Sequence, residues 1–107
     1  MTTTNETRLG AQGPRVFPIA LGCMSMGAGS WYGASDDAEG IATIHAALER
    51  GVNVIDTGDF YGMGKNEMLV GKALQGRRDK ALLSVKFGGQ RGPDGSFLGV
   101  DNSPNAT

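Results

Sequence analysis

Three short apolar runs alternate with two stretches of helical periodicity, and this alternation constrains the fold more than anything else in the chain. Phe17 to Leu21 reads as a strand ending at Gly22. Ala38, Ile41, Ile44 or His45, and Leu48 then recur at helical spacing. Asp36 or Ser35 is placed to cap that helix, Glu39 stands at capping-box spacing after Asp36, and Gly51 is a natural stop. Val52 to Asp56 is the second strand. The second helix is expected from Asn66 to Leu74, with Asn66 as its cap, Glu67 in its first turn and Gly76 beyond its end. Ala81 to Phe87 is the third strand. Strand, helix, strand, helix, strand predicts an α/β fold with a parallel sheet. The polar residues that end the second and third runs, Asp56 and Lys86, then fall at one carboxyl-terminal sheet edge, where chemistry gathers in such folds.

The remainder punctuates this frame. Arg8-Leu-Gly and Arg15-Val-Phe flank Gly13-Pro14, which predicts an amino-terminal hairpin. Glycine is abundant, 18 of 107 residues against a usual ~7%. Its crowding at Gly22–Gly33 and Gly88–Gly99 predicts loops from Cys23 to Ser35 and after Phe87. Ser103-Pro104 resembles a helix start, Pro following an N-cap. No composition shift marks an internal boundary, so residues 1–107 are expected to belong to one domain.

Composition excludes several partners. A net charge of −1 with no basic stripe argues against nucleic acid. No apolar run approaches the ~20 residues of a membrane span, and the polar start lacks a secretory pattern. One cysteine, Cys23, fits a reducing, cytoplasmic setting.

Asp56, Tyr61 and Lys86 are the candidate chemical set. A carboxylate, a phenol and an ammonium are the parts of a proton-transfer site. A carboxylate beside a lysine keeps it charged where burial alone would neutralise it, and an ammonium stabilises a phenolate. The plainer alternatives are an edge ion pair and a loop-anchoring tyrosine. His45 is expected to pack or hydrogen-bond on its helix, Cys23 to be a small buried hydrophobe, and no metal site is foreseen. Trp31 and Tyr32 lie in the loop after the first strand, where they would wall a substrate pocket or simply pack. The glycines from Gly22 to Gly29 fit neither dinucleotide nor phosphate-loop spacing.

Asp56-Thr-Gly-Asp-Phe-Tyr-Gly62 resembles the aldo-keto reductase signature Asp-Thr-Ala-x-x-Tyr-Gly, with Gly58 where alanine is commoner. Its flanks, Ala46 to Ile55 and Gly64 to Leu74, resemble the same family, as do Leu21-Gly22-Cys23-Met24 and Val85-Lys86-Phe87-Gly88. The resemblance implies a (β/α)8 barrel enzyme that passes hydride between NADP(H) and an aldehyde or ketone. Tyr61 would be the general acid, supported by Lys86 and Asp56. Gly22, Cys23 and Met24 would lie near the nicotinamide with Asp56. The family's further catalytic histidine follows a fourth strand, and His45 does not match it. Three barrel strands and a hairpin form an incomplete barrel, since closure takes ~250 residues. The isolated chain is therefore expected to be inactive, and a non-catalytic cofactor-binding regulatory subunit is the alternative reading.

Overall fold

The computed structural model describes residues 6–27, 36–58, 61–94 and 96–105. Strands β1 (Thr7–Arg8) and β2 (Arg15–Val16) pair antiparallel, the predicted hairpin. Asn53 clips it to the rest of the fold. Its side-chain oxygen accepts from the Phe17 N–H at 2.8 Å, and its amide donates to the Arg15 carbonyl at 3.2 Å.

Strands β3 (Leu21–Gly22), β4 (Val54–Gly58) and β5 (Leu82–Lys86) form a parallel sheet with β4 central. Helix α1 (Asp37–Glu49) links β3 to β4, and helix α2 (Lys65–Ala73) links β4 to β5. The first strand is shorter than Phe17–Leu21 implied. Pro18 has no N–H to give a sheet ladder, and the paired strand spans only Leu21–Gly22.

Asp36 caps α1 as expected, accepting from the Ala38 and Glu39 N–H groups at 2.9 and 3.3 Å. Gly51 takes φ +96°, and the Val52 N–H returns to the Ala47 carbonyl at 3.0 Å, ending the helix. The inward face differs slightly from the expected stripe. Gly40 and Ile44 are buried and Ile41 and Leu48 half-buried, whereas Ala38 is exposed. At Gly40 an added Cβ would lie 3.6 Å from the Leu69 methyls, ordinary contact distance, so α1 packs against α2 at this position.

The expected cap of α2 requires correction. Gly64, at φ +94°, is the capping residue and brings no side-chain bond. Asn66 lies within the helix and is fully buried. It heads the inward stripe completed by Leu69, Val70 and Ala73, the i, i+3, i+4, i+7 set of a packed helix. Tertiary packing has overridden the local capping preference.

The core is one cluster between the sheet and the two helices: Cys23, Ile44, Ile55, Leu69, Val70, Ala73, Leu74 and Ala81. His45 bonds across the helix pair, its Nε2–H donating to the Ala73 carbonyl oxygen at 2.8 Å. Cover gives out at the β5 edge of the sheet. All five residues of β5 are exposed, and Phe87 beyond it is 60% exposed.

The expected glycine-rich loop after Phe87 is instead a second hairpin, β6 (Gly89–Arg91) with β7 (Phe97–Val100). The Asp94 carboxylate accepts from the Ser96 N–H at 3.0 Å and its hydroxyl at 2.7 Å, which bends the chain between the strands. Gly99 serves a strand here, at φ +125°. The helix start expected at Ser103-Pro104 is a turn as far as residue 105, with the Ser103 N–H donating to Asp101 at 2.9 Å.

Candidate active site

Parallel register brings the chemical set together. Gly58 pairs with Lys86 and Asp56 with Ser84 along β4 and β5, so the carboxylate and the lysine rise from adjacent strands at the carboxyl-terminal edge. Lys86 Nζ donates to both Asp56 oxygens, at 2.6 and 2.7 Å. The same nitrogen lies 5.3 Å from the centre of the Tyr61 ring, within cation–π range. Tyr61 opens the 3₁₀ turn Tyr61–Gly64 that leads into α2. The three side chains predicted from sequence therefore meet at one rim.

The hydrogen bonds that Lys86 donates to Asp56 hold its ammonium above the ordinary range. Burial pulls the other way and is outweighed, and the Tyr61 oxygen adds a smaller contribution in the same direction as Asp56. The pair is partly wet, with the lysine side chain 52% and the aspartate 31% exposed. A lysine held cationic against a phenol suits proton donation, since the ammonium steadies the phenolate that remains.

A depression of about 560 Å³ adjoins this set, lined by Gly22, Met24, Ser25, Asp56 and Tyr61. A Cβ added at Gly22 would meet nothing within 4 Å, so the strand end there is open. Gly22 and Met24 line this depression. Cys23 does not. It is fully buried in the core cluster, its N–H donates to the Asp56 carbonyl at 3.0 Å, and its own carbonyl accepts from Asn66. Burial, aided by the Asp56 charge, pushes the thiol up to about 11, so it is protonated and inert at neutral pH. Trp31 and Tyr32, the proposed pocket walls, lie outside the described residues. His45 is occupied within the helix pair, away from the rim. Among the described residues no group of three His, Cys, Asp or Glu is placed to hold a metal ion.

A larger groove of about 710 Å³ runs along the helices, lined by Ile41, Met68 and Leu69 with Asp37, Lys65 and Lys72. It gathers no acid–base set, so the rim depression is the better candidate despite its smaller size.

Sequence reasoning missed two residues. Ser25, which lines the depression, carries no periodic or motif signal. Asn66 did carry one, its place at the head of the Leu69, Val70, Ala73 stripe, which marks a polar residue turned inward.

The family model for the aldo/keto reductase family matches residues 18–105. Aldo-keto reductase YhdN of Bacillus subtilis (strain 168) is 39% identical over 82 residues, covering 75% of this chain and 24% of its own length. The aldo-keto reductase AKR11C1 of Bacillus halodurans, solved in its holo form, superposes with a TM-score of 0.73 at 34% identity, covering 90% of this chain and 30% of that one. An aldo-keto reductase from Klebsiella pneumoniae solved with NADPH gives a TM-score of 0.63 at 31% identity, covering 78% and 28%. The chain thus spans about a quarter of the curated relative's length, and its three-stranded sheet is the corresponding part of a barrel, not closed on itself.

Proposed function

Because the chain belongs to the aldo-keto reductase family, we propose that it supplies the proton-donating rim of an NADP(H)-dependent reductase that converts aldehydes or ketones to alcohols. The observation that carries this reading is the bidentate Asp56–Lys86 pair set against the Tyr61 ring beside an open depression. Tyr61 gives a proton to the carbonyl oxygen as negative charge develops there. Lys86 stabilises the phenolate, and Asp56 keeps Lys86 charged and aimed. Residues 1–107 form, on this reading, the amino-terminal part of one (β/α)8 domain without an internal boundary.

The residues fit the nicotinamide end of the cofactor. Gly22 leaves open space for a flat ring, Met24 gives an apolar contact, and Asp56 offers an acceptor at the same rim. NADP(H), when bound, supplies the hydride. The relative solved with NADPH supports that choice of cofactor. The single, buried cysteine supports a cytoplasmic setting.

The test is a graft. Residues 6–105 replace the matching segment of the Bacillus subtilis relative, and NADPH oxidation is followed with a panel of aldehydes and ketones. The graft is expected to turn over, and Tyr61→Phe to lower kcat by about 10²-fold or more while NADPH still binds. Equal turnover with phenylalanine would remove Tyr61 from the acid role.

A further inference from the structure

The described residues place one buried amide between three separate pieces of chain. Asn66 is fully buried and Thr57 is 2% exposed. The Thr57 hydroxyl donates to the Asn66 side-chain oxygen. The Asn66 side-chain nitrogen donates to the Cys23 carbonyl and, at 2.8 Å, to the Met26 carbonyl. Chemistry fixes the orientation of the amide. Two carbonyl oxygens can only accept, so the NH₂ must face them, which leaves the oxygen to the hydroxyl. Every polar atom of the side chain is thereby used.

The bridge spans what the rim needs. Cys23 to Met26 is the turn that carries Met24 and Ser25 into the depression. Thr57 follows Asp56 on β4, and Asn66 follows the turn that begins with Tyr61. The same surfaces lie close at a second point. Gly27 has φ +91°, and a Cβ there would lie 3.4 Å from the Asn66 Cα and N, so the turn rests against the start of α2. We propose that Asn66 is a positioning residue, whose amide holds Met24 and Ser25 in register with Asp56 and Tyr61 by tying the Cys23–Met26 turn to β4 and α2. The hydrogen bonds carry this claim alone; only its consequence for a nicotinamide or carbonyl rests on the proposed function.

Asn66→Asp keeps size and shape but replaces the two donors with an oxygen facing two carbonyls. Amide exchange and methionine-methyl NMR of the 107-residue chain test the proposal. The Met26 N–H, bonded to the Cys23 carbonyl at 2.9 Å, is expected to exchange roughly tenfold faster in the variant. The Leu82 N–H, bonded to the Asn53 carbonyl at 2.7 Å at the other end of the sheet, changes far less. The Met24 methyl resonance moves toward that of free methionine, while the Lys86 ammonium titration stays in place. Equal acceleration at Met26 and Leu82, or no change at Met26, overturns the proposal. Should Asn66→Asp fail to fold, Thr57→Val removes the hydroxyl that orients the amide and leaves both donors. It is expected to give the same selective pattern at smaller size, and a uniform response overturns the proposal equally. The Tyr61→Phe graft tests the catalytic reading separately, so either can fail while the other stands.

Discussion

At the scale of single residues, the rim was legible because its polar members interrupt apolar runs. Asp56 and Lys86 each end a stretch that otherwise reads as a buried strand, and parallel register then places them side by side. Their pairing has a pH signature. Lys86 titrates above its ordinary 10.5 in the folded chain, chiefly through Asp56. The pair therefore contributes its full stability below about 10.5, and the contribution is lost as pH rises through the raised value. With half the lysine side chain in water, that contribution is no more than ~1 kcal/mol. Asp56→Asn is expected to bring the Lys86 titration down, and to cost that small amount near neutrality and nothing at strongly alkaline pH. A ¹³C titration of the lysine side chain with urea melts on both sides of pH 10.5 checks it. An unchanged Lys86 titration would mean the pair is not formed in solution. Cys23 gives a second check. Its buried thiol, pushed up to about 11, is expected to resist alkylation in the folded chain and to react once urea exposes it. Asn66 was misread for a physical reason: a capping rule sees only local backbone, whereas the pull on Asn66 comes from carbonyls 40 and 43 residues away.

At the scale of elements, legibility follows whether a signal is carried by the element itself. Helix α1 announces its start with Asp36 and its end with Gly51, and both hold in the structure. Asp36→Ala is accordingly expected to cost about 1 kcal/mol, since two N–H groups lose their acceptor. Ile44 sits at the centre of the α1 contact with the core, with no exposed surface. Ile44→Ala is expected to cost about 2–5 kcal/mol, enough to unfold a fold this size in mild urea. Circular dichroism through a urea titration measures both, and a smaller loss for Ile44→Ala than for Asp36→Ala would contradict the core drawn above. The hairpin β6–β7 was hidden by its glycines. Composition marked the segment as loop, although Pro93-Asp94-Gly95 between short apolar runs is a turn sequence. Gly88 and Gly99, at φ +109° and +125°, are where the strands' path needs backbone that other residues adopt poorly.

At the scale of the whole molecule, the helices cover the middle of the sheet and leave its β5 edge exposed on both faces. The helices bury Ile55 and Thr57 of β4, but Leu82, Leu83 and Val85 of β5 are 38%, 36% and 51% exposed, and Phe97, Leu98 and Val100 of β7 are more so. β5 is also the last strand of its sheet, so its outer backbone groups have no ladder partner within that sheet. An apolar, unpaired edge of this kind favours association, and the 107-residue chain is expected to elute as more than a monomer. Val85→Lys, which puts a charge on the exposed edge, should shift elution toward the monomer with helix content unchanged; elution unaffected by that charge would place the contact elsewhere. The same openness limits cofactor binding. The described rim offers a shallow depression with five lining residues, which touches a small part of a dinucleotide. Affinity comes from the surplus of contacts over the cost of immobilising the ligand, and one wall does not supply it. NADPH is thus expected to bind the isolated chain more weakly than about 1 mM, a free energy of about −4 kcal/mol. Fluorescence titration decides the matter: saturable quenching at micromolar NADPH, accompanied by oxidation of the cofactor in the presence of an aldehyde, would show that this open sheet binds and reacts without the rest of a barrel.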